Sequence, residues 1–109
     1  MNVDIHQLSI HETPPMELLL AADPSLKLVE NYVKRGHCFV AENNDQWIGV
    51  YVLLPTRPQT IEIVNIAVDE LYQGKGVGKD LLRHAINTAK TMGYTTIEIG
   101  TGNSSIGQL

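Results

Sequence analysis

The 109-residue chain contains one cysteine. Cys38 therefore makes no internal disulfide, zinc sites built from several thiolates are excluded, and the usage points to a reducing cytosol. Basic residues are also few. Eight Lys and Arg stand against twelve Asp and Glu, a net charge of −4 with the four His neutral. A surface that holds DNA or RNA normally shows a basic excess, so nucleic acid is not an expected partner. Long apolar runs are missing too. The longest early one, Met16 to Ala22, is interrupted by Glu17, and Met1 to Leu8 carries Asp4 where a signal peptide wants positive charge. Neither secretion nor a membrane span is expected, and the expected location is cytoplasmic. No repeat, charge block or Gly/Ser linker divides the chain, and its length suits one domain spanning 1–109. With 43% hydrophobic and 18% charged residues, the composition is that of a globular protein.

Val3, Ile5, Leu8 and Ile10 alternate imperfectly, with a slip near Gln7, and predict a first strand. Thr13 before Pro14 predicts an N-cap opening a short helix through Met16, Leu18, Leu19 and Ala22. Asp23 and Pro24 repeat the device. The second helix carries Leu28, Val29, Tyr32 and Val33 on one face and stops at Gly36 as a C′ residue. Cys38 to Ala41 and Trp47 to Leu54, separated by Asn43, Asn44 and Asp45, predict a hairpin. Pro55 and Pro58 bracket a loop before a strand over Thr60 to Val68, and Asp69 to Gly78 is a polar, glycine-rich turn. From Val77, Leu81, Leu82, Ala85, Ile86, Ala89 and Met92 recur at helical spacing, and Gly93 closes the helix. Tyr94 to Ile99 predicts a strand, Gly100 to Ser105 a loop, and Ser104 to Leu109 the start of one more helix. The order β-α-α-β-β-β-α-β-α implies an α/β chain with a mixed sheet and helices on its faces.

Gln73-Gly74-Lys75-Gly76-Val77-Gly78-Lys79 lies between a predicted strand and the strongest predicted helix. Glycines let backbone N–H groups converge without a Cβ in the way, and the first-turn amides carry the positive end of the helix dipole. Lys75 and Lys79 add positive charge in an acidic chain, so the place suits phosphate. A P-loop does not fit, because Gly74 and Gly78 enclose only three residues and Asp80 follows Lys79. The dinucleotide fingerprint fails as well, since its third glycine would fall at Lys79.

What fits is Arg or Gln, two residues, Gly, one residue, then Gly or Ala, read as Gln73, Gly76 and Gly78 after a strand and before an amphipathic helix. Here the chain resembles the GNAT superfamily of acetyl-CoA-dependent N-acetyltransferases. The resemblance covers Val3 to about Leu109 and is most specific over Glu62 to Leu82, Glu-Ile-Val-Asn-Ile-Ala-Val-Asp-Glu-Leu-Tyr-Gln-Gly-Lys-Gly-Val-Gly-Lys-Asp-Leu-Leu. It implies a mostly antiparallel sheet, acetyl-CoA as cosubstrate, and a pyrophosphate held by Gln73, Gly74, Lys75, Gly76, Val77, Gly78 and Lys79. It also implies that the main chain of Ile66, Ala67 and Val68 pairs with the pantetheine arm, with the Val68 amide facing the thioester oxygen, and that Asn103 contacts the arm. Relatives continue past this point with a helix that commonly carries a proton-donating Tyr, and with two more strands. The pattern here stops before them, so the domain reads as C-terminally incomplete, and an exposed sheet edge would invite a homodimer.

Strict alternation along Thr60 to Val68 puts Ile61, Ile63 and Asn65 on one face and Glu62, Val64, Ile66 and Val68 on the other. A carboxylate among aliphatic neighbours tends toward a raised pKa. The resemblance implies that a Glu at this position is the general base, directly or through water, for attack by a small-molecule or peptide amine. Two other readings stand beside it: a module that holds CoA without turnover, and a nucleotide-phosphate protein of another fold. Cys38 reads as core, Trp47 as packing in the hairpin, and Tyr72 as packing under the turn. His6, His11, His37 and His84 share no metal-ligand spacing and read as surface residues, His84 on the polar side of its helix.

Overall fold

The computed structural model describes residues 2–99 and the main chain of residues 105–108. One sheet has the strand order β1 (Asp4–Gln7), β2 (His37–Asn43), β3 (Gln46–Arg57), β4 (Thr60–Val68), β5 (Thr96–Ile99) and β6 (Ser105–Gln108). Neighbours are antiparallel except β4 with β5. The parallel pair follows from its connection. The helix α3 (Val77–Thr91) carries the chain from the end of β4 back to the start of β5, a return no tight hairpin makes.

β2 and β3 turn at Asn44 and Asp45, whose φ of 51° and 62° belong to a type I′ hairpin. On one face of the sheet, Val77, Leu81, Ala85 and Ala89 of α3 recur every fourth residue and are buried against Tyr51, Leu53, Ile61, Ile63 and Ile97. The helices α1 (Met16–Ala22) and α2 (Leu26–Arg35) cover the other face, where Leu19, Val29 and Tyr32 pack on Cys38, Val40, Val50 and Val52. Burial there pushes the Cys38 thiol up to about 12, which makes it an inert core residue.

Several local expectations are corrected. Thr13 does not cap α1: Pro15 takes the N-cap position without a side-chain bond, because each proline holds the residue before it extended. In α2 the cap is Ser25, whose Oγ accepts from the Leu28 N–H at 3.3 Å. Asp23, kept extended by Pro24, instead accepts from the Ser25 N–H at 3.1 Å and the Tyr32 hydroxyl at 3.1 Å. Leu28 is exposed, so the buried stripe of α2 is narrower than expected. Gly36 ends α2 in an extended conformation, not a left-handed one. A Cβ there would lie 2.3 Å from the Leu53 carbonyl oxygen, so close approach of β3 is what demands glycine. β3 runs through Pro55 to Arg57, the proline being absorbed by a register irregularity. Ser105–Gln108, expected within a helix over Ser104 to Leu109, instead pairs antiparallel with β5. So short a segment nucleates a helix poorly, whereas the edge of β5 offers a row of donors and acceptors.

The correction that matters most lies within β4. Val52 pairs with Asn65 but Leu53 pairs with Ile63, which leaves Val64 as an extra residue in a bulge. Alternation therefore slips by one. Ile61, Ile63, Ile66 and Val68 pack on the α3 side, whereas Val64 and Ala67 pack on the side of α1 and α2. Asn65 also turns to that side, donating through Nδ2 to the Leu19 carbonyl at 2.9 Å and to the Tyr32 hydroxyl at 2.8 Å. Glu62 stands opposite Leu54, which packs on the same side. Glu62 thus shares its face with Val64, Asn65 and Ala67, not with Ile66 and Val68.

Candidate active site

β4 ends where the Asp69 N–H donates to the Ile48 carbonyl at 2.7 Å. The Asp69 carboxylate then accepts from the Leu71 N–H at 2.9 Å and winds Glu70–Tyr72 into a single 3-10 turn. Gln73 folds back so that Nε2 donates to the Val68 carbonyl at 3.0 Å, which fastens the turn to the strand it leaves. Gly74 and Gly76 take φ of +78° and +87°, while Lys75 and Val77 between and after them stay negative. Such alternation points successive N–H groups into one concavity, a nest for anions. The concavity is open, because a Cβ on Gly74 or Gly76 would meet nothing within 4 Å. Gly76 is the N-cap of α3 and makes no side-chain cap bond, so the first amides of the helix are left for a ligand. Val77 anchors the helix start in the core, and Lys75 and Lys79 stand exposed beside it. The turn residues named from the sequence are thus brought together, with Gln73 fastening the turn through its side chain.

The open edge lies on the same strand. Among the described residues, β5 pairs with β4 over Thr60 to Ile63. Beyond Ile63, among the described residues, β4 has a strand partner on the β3 side alone. The Asp69 bond to Ile48 sets the phase: counting back by twos, the main-chain groups of Ala67 face β3, and those of Ile66 and Val68 face away. Ile66 and Val68 are therefore at the free edge, and Ala67 is not. A pocket of about 150 Å³ opens there, walled by Ala22, Ile63, Val64, Asn65, Ile66 and Ile99. Asn103 lies outside the described residues.

Glu62 sits at the paired end of β4, directly beside Glu98 on β5. Burial raises its pKa first and the Glu98 carboxylate adds to the rise, while the Arg57 guanidinium opposes it. Arg57 itself bonds Glu98 at 2.8 Å, so the cation is shared between the two carboxylates. A raised pKa makes the carboxylate a stronger base than an exposed one.

Sequence reasoning missed two polar clusters. The first is Asn65 with Tyr32 and Asp23, signalled only by an Asn inside a run of Ile and Val. The second corrects the reading of His84 as a surface residue. The buried Tyr51 hydroxyl hydrogen-bonds with His84 Nδ1 at 2.7 Å and donates to Thr88 Oγ1 at 3.2 Å, with Phe39 stacked on its ring. His84 and Thr88 are four apart on one helix face, a spacing visible beforehand, but their partner Tyr51 is not. Burial lowers the His84 pKa, opposed by Asp4. The folded chain then releases a proton that the unfolded chain still binds, so this contribution to stability is complete above the ordinary His value and is lost as pH falls below it. From about pH 7.5 to about pH 5.5, the urea midpoint of the chain is expected to fall more steeply than that of a His84→Gln variant. Parallel slopes would show that His84 is not the titrating group.

Comparison with known proteins supports the same assignment. Residues 4–107 match the family model described as the acetyltransferase (GNAT) family. The uncharacterized N-acetyltransferase YvbK of Bacillus subtilis (strain 168) is 61% identical over 93 residues, which cover 85% of this chain and 60% of that protein. A GNAT family acetyltransferase from Elizabethkingia anophelis, crystallised with acetyl-CoA, superposes with a TM-score of 0.89 at 43% identity, covering 94% of this chain and 67% of that one. A Bacillus subtilis acetyltransferase in complex with CoA gives 0.86 at 54% identity over 96% of this chain and 69% of that one. The chain thus spans about three fifths of the length of its curated Bacillus relative. These matches set aside the reading of a phosphate-binding protein of another fold. The nest before α3, the strand with a free edge and the family match agree: the chain belongs to the GNAT acetyltransferase family.

Proposed function

We propose that the chain carries the acetyl-CoA site of an N-acetyltransferase and passes the acetyl group to a primary amine of a small molecule or peptide, with Glu62 as general base. The observation that carries this reading is the layout of β4, which has the phosphate nest at its end, Glu62 near its start, and a free edge between them. A strand rises about 3.3 Å per residue, so Val68 to Val64 covers about 13 Å, a reach comparable with an extended pantetheine arm.

In this reading the N–H groups of residues 74–79 hold the diphosphate, Gln73 having given its own N–H to the Glu70 carbonyl, and Lys75 and Lys79 add charge. Ile66 and Val68 offer main-chain groups to the amides of the arm. By the same arithmetic, the thioester arrives nearer the bulge at Val64 than Val68. Glu62 takes a proton from the ammonium form of the acceptor, whose pKa of about 10 leaves no lone pair at neutral pH. The C–N bond then forms as the C–S bond breaks, and the nitrogen gives up a second proton, which the departing CoA thiolate takes up to leave as the free thiol.

Calorimetry with CoA, combined with thiol release from acetyl-CoA across a set of primary amines, tests the proposal. Heat on CoA addition and amine-dependent thiol release are expected. Heat without release would favour a CoA-binding module. No heat on folded protein would overturn both readings.

A further inference from the structure

Asn65 is 5% exposed, and among the described residues its Oδ1 has no hydrogen-bond partner. The orientation of the amide follows from its partner, because the Leu19 carbonyl only accepts and therefore faces Nδ2. Both Nδ2 protons are engaged, one by Leu19 and one by Tyr32. Oδ1 is left as a buried acceptor out of contact with water, a state that costs the fold free energy unless a donor arrives. Asn65 is also part of the wall of the pocket at the free edge of β4, which α1 closes at Ala22.

The bulge decides what that acceptor can meet. Without Val64 as an extra residue, Asn65 would point into the α3 core, and Glu62 would lie across the sheet from it. With the bulge, the two share a face, opposite the face on which α3 and its nest are packed. Diphosphate and acceptor are therefore served from different sides of β4. An amine entering from the α1 side would meet Asn65 in the pocket wall, on the face of β4 that also carries Glu62. Once one proton has gone to Glu62, the neutral nitrogen has two N–H bonds to satisfy while its lone pair is aimed at the thioester carbon.

We propose that Asn65 is a further residue that positions the acceptor amine: Oδ1 accepts one N–H of the nitrogen, which aims its lone pair at the thioester carbon. This rests on the acetyl-CoA reading of the site given above. Reaching Oδ1 takes a small movement of the pocket wall, which the new hydrogen bond offsets.

Two CoA thioethers test it without turnover: one ending in N-methylacetamide, the other in methyl acetate, so that a single N–H is replaced by oxygen. The unmodified chain is expected to bind the amide about tenfold more tightly than the ester. Asn65→Ala, or Asn65→Ser should the alanine variant unfold, is expected to bind the two alike. Tyr32→Phe cuts the link to α2 but leaves Leu19 holding Nδ2, and is expected to keep the preference. That separates contact with the ligand from mere bracing. Equal affinities in the unmodified chain, a preference that survives in the Asn65 variant, or a preference lost equally in Tyr32→Phe would each overturn the proposal while the CoA site stands. If neither CoA nor the conjugates bind, the acetyl-CoA reading itself fails.

Discussion

Glu62→Gln is expected to lower kcat/KM for a primary amine by about 10²–10⁴ at neutral pH while leaving CoA affinity nearly unchanged. Glutamine matches the size of the side chain and keeps an oxygen, but it cannot take up a proton. The defect should depend on pH in a definite direction. Burial and the neighbouring Glu98 hold the Glu62 pKa above its ordinary value, so the rate of the unmodified enzyme falls as pH drops through that raised value and the base becomes protonated. The Gln variant lacks this limb. As pH climbs toward the amine's own pKa of about 10, solvent supplies the neutral nucleophile and the two rates converge. A pH–rate profile unchanged by the substitution would remove Glu62 from the mechanism.

Gly76→Asp should reduce CoA binding by about 10²-fold or more, because like charges brought together cost several kcal/mol. Gly76 is the N-cap of α3 at φ +87°, and the space where its Cβ would stand is empty. Aspartate at an N-cap helps a helix, and short polar side chains tolerate left-handed backbone better than most, so the variant is expected to fold. Its carboxylate would occupy the anion nest and repel the diphosphate. Gly76→Ala imposes similar backbone strain without the charge, and its smaller loss separates the two effects. Titration by calorimetry, with a melting curve for each variant, is the measurement. Normal CoA uptake by folded Gly76→Asp would show that the nest does not hold the diphosphate.

Much of this site was legible before any coordinates. The glycine spacing of the turn, its place between strand and helix, and the four-residue repeat of α3 are local patterns, because each depends on bonds and packing within a few residues. Cys38 was legible as core for a similar reason, lying in an apolar run. Errors cluster where a neighbour distant in sequence decides the outcome. Gly36 was read as a helix-ending turn, but the constraint comes from Leu53. His84 was read as surface, but Tyr51 lies beneath it. The segment 105–108 was read as helix, but β5 supplies a better partner for its backbone.

The sequence by itself determined the elements from β1 to β5 and the glycine-rich turn before α3, since short-range periodicity and chain stiffness suffice for these, whereas the choice of Glu62 came from the family resemblance. Only the tertiary structure decided which groups share a face with Glu62 and where β4 parts from β5. A one-residue bulge inverts every side chain beyond it. Whether such a bulge forms depends on pairing with β3 and packing under two helices, and no run of residues within β4 encodes either.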